Sequence, residues 1–94
     1  MATKTLKKFE AEVLGKSFGY GFKCNKVFSF KPWFEDEELT YNGKPVTIFV
    51  AAEHTKGHGW EALYAEVKET GKELEMVCTY GTSKADLMDQ ILGC

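Results

Sequence analysis

The chain has no arginine: all twelve of its basic residues are lysines. That removes the planar donor that usually reads phosphate, carboxylate and guanine in a bidentate way, and so disfavours nucleic-acid recognition and phosphoryl transfer. No run of about 18 apolar residues occurs, so no helix is expected to span a membrane. The opening MATKTLKKFEAEV carries lysines with no apolar core behind them, so it does not read as a signal peptide, and a cytoplasmic location is expected. Cys24, Cys78 and Cys94 are odd in number and contain no C-x-x-C, which argues against a disulfide framework or a zinc or redox motif. Cys24 and Cys78 read as small buried hydrophobes. Cys94, the last residue, lacks the spacing of a prenylation box.

What remains is an ordinary globular composition. At 94 residues, 44% hydrophobic and 28% charged, residues 1–94 are expected to form one domain with a single core. The net charge of −2 hides an asymmetry: the first 31 residues sum to +5 and the rest to −7. Such a layout suits oriented docking or pairing of unlike halves of two copies.

Alternation dominates the local pattern. From Phe18 to Lys31 the residues Phe18, Tyr20, Phe22, Cys24, Phe28 and Phe30 share one parity, and only Lys26 and Val27 break the rule. A strand would gather these aromatics on one face, with a bend expected near Asn25-Lys26 and an end at Pro32. Phe9, Ala11 and Val13 alternate with Glu10 and Glu12, which predicts a short first strand. Asn42-Gly43 signals a type I′ turn, with Leu39 and Tyr41 pairing with a strand over Val46–Ala51. In that strand Val46, Ile48 and Val50 oppose Thr47, Phe49 and Ala51, so both faces are apolar and a central position is expected.

Residues 60–70 admit two readings. Trp60, Leu63, Tyr64 and Val67 sit at helical spacing, yet Leu63, Ala65 and Val67 also alternate as a strand turning at Gly71. The hairpin is preferred. Leu74, Met76, Cys78 and Tyr80 predict a further strand. Ser83 predicts the cap of a closing helix with Leu87, Met88, Ile91 and Leu92 on its apolar face and Gly93 at its end. The expected fold is therefore α+β: a largely antiparallel sheet of about five strands with a C-terminal helix on one face. One helix covers one face only, so some aromatic surface is expected to be open, closed by curvature or shared with a partner.

No catalytic constellation is evident, and neither a metal nor another cofactor is expected. His54 and His58 lie four apart in a glycine-containing loop with no third ligand evident. The few serines and cysteines are not set in a nucleophile elbow. The leading functional expectation is a small non-enzymatic protein that binds another protein, of inhibitor, immunity or adaptor type. Its expected contacts are Trp33 and Phe34, aromatic anchors beside the acid run Glu35, Asp36, Glu37 and Glu38. Two alternatives stand beside it. Phe18, Tyr20 and Phe22 with Lys16 and Lys23 have the aromatic and basic character of a single-strand nucleic-acid platform. The order of an RNP1 motif is not met, because Ser17 stands for its first glycine and Gly21 is inserted. Self-association into a homo-oligomer, by unlike charge or by sheet edges, is the other.

Overall fold

The computed structural model describes residues 4–18, 21–32, 40–74 and 79–93. Its elements run in the order α1 (Leu6–Val13), β1 (Lys26–Phe30), β2 (Thr40–Tyr41), β3 (Lys44–Pro45), β4 (Ile48–Thr55), β5 (Gly59–Val67), β6 (Glu73–Leu74), β7 (Tyr80–Gly81) and α2 (Lys84–Gly93). Five strands form an antiparallel sheet in the order β1-β4-β5-β6, with β7 also paired to β5. The fold is α+β, as the alternation predicts.

β4 is the central strand because both of its faces are apolar. Ile48 and Val50 enter one cluster with Val46, Phe28, Ala65, Val67 and Leu87. Phe49 and Ala51 enter a second with Phe9, Val13 and Cys24. Helix α2 closes the first face, with Leu87 buried and Met88 and Ile91 packed beside it. Ser83 caps that helix: its Oγ accepts the Asp86 N–H at 3.2 Å and its carbonyl accepts the Leu87 N–H at 3.0 Å.

The second face is closed by α1, and here the sequence expectation is corrected. Phe9–Val13 is helical rather than extended, and Ala11, which alternation placed in the core, is exposed. Leu6, Phe9 and Val13 stand at i, i+3 and i+7, a spacing that makes one helical stripe. Thr5 starts the helix, its side chain accepting the Lys8 N–H at 3.1 Å. With α1 as a helix, both faces of the sheet have a cover, so the expected surplus of open aromatic surface loses its main argument.

The aromatic run is likewise shorter as a strand than expected. Among the described residues of the run, Lys26–Phe30 forms the strand, Ser17 and Lys23 form an isolated bridge, and Gly21 takes φ +84°. The bend falls where the parity breaks. Before it, Phe18 and Cys24 face α1; after it, Phe28 and Phe30 face α2 while Val27 turns to α1. Thr40-Tyr41 pairs with Lys44-Pro45 rather than with Val46–Ala51, across a turn whose Asn42 and Gly43 take φ +55° and +78°. The neighbour of β4 on that side is β1. Of the strand expected over Leu74–Tyr80, both ends pair with β5, and residues 75–78 lie outside the described residues. Among the described residues no helix is long and apolar enough to cross a membrane.

The join between β7 and α2 depends on Gly81. A Cβ there would stand 2.6 Å from the Leu87 backbone nitrogen and 2.9 Å from the Asp86 carbonyl carbon. Both are backbone atoms of a packed helix and cannot yield cheaply. Gly81→Ala is therefore expected to cost about 2 kcal/mol or more. That is a fall of roughly 10 °C in the thermal midpoint of a domain this size. A midpoint unchanged by calorimetry would mean that α2 does not sit against β7 in this way.

Candidate functional site

A register shift in the sheet creates the site. Ala51 pairs with Tyr64 but Ala52 pairs with Ala62, so Leu63 is an extra residue in β5. Such a β-bulge turns two consecutive side chains to one face. Leu63 and Tyr64 both point to the α1 side, while Ala62 and Ala65 point to the α2 side. The bulge also explains the double reading of residues 60–70, since a parity change inside a strand imitates helical spacing.

Tyr64 then forms the middle of a three-ring stack. Its ring lies 6.1 Å from Phe9 and 6.0 Å from Phe18, at interplanar angles of 16° and 22°. Its phenol donates to Glu66 Oε2 at 3.0 Å and lies 3.4 Å from Glu73 Oε1. Glu66, on the same face two residues on, is only 8% exposed. A carboxylate this deep needs partners to offset its lost hydration. Its second oxygen takes the Lys4 ammonium at 2.7 Å, and the same ammonium reaches Glu12 Oε2 of α1 at 2.7 Å. Lys4 Nζ also lies 5.9 Å from the Phe9 ring centroid, within cation–π range. These groups border a cleft of about 320 Å³ that continues past Phe18 to Lys16, whose ammonium lies 5.7 Å from the Phe18 ring.

The electrostatics fix the protonation of these groups. Hydrogen bonds to Glu12 and then Glu66 raise Lys4 well above the ordinary lysine value, against the opposing effect of burial. Burial first, and the hydrogen bond to Glu66 second, raise the Tyr64 phenol well above its ordinary value. Glu12 is lowered, chiefly by its hydrogen bond from Lys4. At neutral pH the cleft therefore holds a charged ammonium and a neutral phenol donor.

The residues singled out from the sequence are dispersed. Phe18 and Lys16 border this cleft, but Phe22 lines a separate cavity of about 230 Å³ with Glu53, Glu61 and Tyr80. Lys23 is exposed and its backbone N–H donates to Glu53 Oε2 at 2.8 Å. The backbone nonetheless brings Phe18 and Phe22 opposite one another, the Phe18 N–H donating to the Phe22 carbonyl at 2.9 Å. Tyr20, and Trp33, Phe34, Glu35, Asp36, Glu37 and Glu38, lie outside the described residues. His54 packs against Trp60 with ring centroids 4.6 Å apart, and the His58 carbonyl accepts the Tyr80 phenol. Among the described residues no three His, Cys, Asp or Glu side chains could hold a metal ion. Cys24 is buried, donates to the Lys26 carbonyl at 3.3 Å, and is raised by burial, as a packing thiol should be. Lys4, Glu12, Tyr64 and Glu66 were not singled out. The clue available was the adjacent apolar pair Leu63-Tyr64 inside an alternating segment.

No family model, curated protein or solved structure matches this chain.

The second cavity yields a pH prediction. Glu53 and Glu61 stand directly opposite on β4 and β5. Burial first, and Glu53 second, raise Glu61 above its ordinary value of 4.5. A raised carboxyl favours folding only while protonated, so its contribution falls as pH climbs through the folded value. Glu61→Gln should therefore stabilise the chain at pH 7, by about 0.5 kcal/mol for a cross-strand like-charge pair. The gain should vanish below about pH 4, where the carboxyl is protonated in both states. Thermal midpoints of the two proteins across this range decide the matter; a pH-independent difference would refute the like-charge account.

Proposed function

We propose that this chain is a small binding protein that acts through contacts with another protein and carries out no chemistry of its own. The observation that carries the reading is geometric: Phe9, Tyr64 and Phe18 stack beside a cleft whose ammonium, phenol and two carboxylates are already paired with one another. General acid–base catalysis requires groups poised near the working pH. Lys4 and Tyr64 are instead driven away from neutrality and locked as a cation and a neutral donor. Rigid donors and acceptors beside stacked rings suit recognition. The charge asymmetry along the chain adds a means of orienting a partner, with the acid run Glu35 to Glu38 and the anchors Trp33 and Phe34 as the expected contacts.

Self-association is the second reading, favoured by one observation. β1 stands at the end of the sheet, with no strand beyond it among the described residues. A molecular mass by light scattering that stays monomeric at high concentration would remove it.

The primary test is a pull-down of the tagged chain from host lysate, with and without nuclease. The expected result is a stoichiometric protein partner that survives nuclease. Recovery that depends on nucleic acid would overturn the proposal in favour of single-strand binding. For the contact residues, replacing Trp33 and Phe34 with alanine should weaken the complex at least tenfold and leave the thermal midpoint within about 2 °C, as for exposed anchors. A large loss of stability would place both side chains in the core instead.

A further inference from the structure

We propose that the cleft beside α1 is a recognition pocket for the primary ammonium of a lysine side chain on a basic peptide, and that the chain's own Lys4 occupies it in cis. This rests on the reading of the chain as a binding protein and names the chemistry of one contact.

The receptor groups belong to regular elements. Glu12 comes from α1, and Tyr64 and Glu66 come from β5, with the phenol of Tyr64 holding Glu66 independently of any cation. Lys4 belongs to neither a helix nor a strand; it precedes the Thr5 cap of α1. The cation is thus presented by an irregular segment to a pocket built by regular elements. About 320 Å³ of open space remains with Lys4 already among the lining residues, bordered also by Phe18 and Lys16, so a further side chain has room beside the one in place.

The geometry selects the class of ligand. Two carboxylates from different elements each meet the cation through a single oxygen at 2.7 Å, with the Phe9 ring 5.9 Å away. Single contacts from separate directions match a compact ammonium with tetrahedral donors. The buried carboxylate of Glu66 does not offer a guanidinium both oxygens, because its second oxygen already accepts the Tyr64 phenol. Glu66, at 8% exposure, keeps a strong demand for a cation whenever Lys4 leaves. A tethered ligand competes at high effective concentration, so an outside lysine should bind the intact chain weakly and a chain lacking Lys4 more tightly.

The test uses the full chain as wild type, Lys4→Ala and the double variant Lys4→Ala with Glu66→Gln. The probes are acetyl-Ala-Lys-Ala-amide and the same peptide acetylated on its lysine nitrogen, matched in ionic strength. Lys4→Ala is expected to melt below the wild type and to recover with the lysine peptide alone. Calorimetric titration should show at least tenfold tighter binding than to the wild type, lost again in the double variant. Equal effects of both peptides, or a folded Lys4→Ala that binds neither, would overturn the proposal. Should Lys4→Ala not fold, the wild type decides: millimolar lysine peptide must shift the Tyr64 ring and Lys4 side-chain NMR signals together, and unmoved signals refute it. Failure here with a successful pull-down would leave the binding reading intact with its contacts elsewhere. Peptide binding without any partner in the lysate would do the reverse.

Discussion

The structure depends on one constraint: β4 is apolar on both faces and cannot be left wet on either. Ile48 and Val50 on one side, and Phe49 and Ala51 on the other, are almost completely buried. Each fully buried large side chain of this kind contributes about 1.5–3 kcal/mol, and only if something covers it. Two helices at opposite ends of the chain supply that cover. α2 brings Leu87 to the first face and α1 brings Phe9 to the second, where its ring lies 5.3 Å from Phe49. A sandwich of helix, sheet and helix follows from a single strand that must be buried twice.

The candidate site arises where this arrangement departs from regularity. An unbroken β5 would send Tyr64 to the same face as Ala62, into the core beneath α2. The extra residue Leu63 reverses it, and the same reversal carries Glu66 to the α1 side. A carboxylate placed at the edge of an apolar face then needs donors, and it draws on a phenol two residues away and an ammonium sixty-two residues away. One inserted residue thus places the stacked rings and the polar network together. The network holds α1 to β5 through Lys4, which bonds to a residue of each. The groups that hold α1 to β5 are thus the same ones proposed to take part in recognition, and β-bulges are over-represented beside functional sites.

Much of the fold was legible because its signals are local. The two-sided character of β4 can be read from Ile48 to Ala51, and the Asn42-Gly43 turn from two residues. The strand itself begins two residues later and runs further than the alternation over Val46–Ala51 predicts. The Ser83 cap and the Leu87 stripe lie within three turns of helix. Where reading failed, two periods coincided. Phe9 and Val13 are four apart, a spacing that serves a strand and a helix equally, and only Thr5 and Leu6 ahead of them tipped the balance. Phe18 and Phe28 share parity but not a face, because the connection around Gly21 and the break at Lys26-Val27 intervene. The site was hidden for a related reason. Nothing in the neighbourhood of Glu66 marks it as buried, and nothing near Lys4 marks it as a partner.

By itself, then, the sequence determined the α+β class, the central strand, the closing helix, and the lysine-only, charge-divided character that bounds the function. Those properties depend on interactions within a few residues, where propensity and periodicity act without reference to the rest of the chain. Tertiary structure decided that α1 is a helix, that β1 rather than Thr40-Tyr41 pairs with β4, and that Lys4 meets Glu66. Each of these is a choice between locally similar alternatives. It is settled by which distant surface is left to be covered and which buried charge is left to be paired.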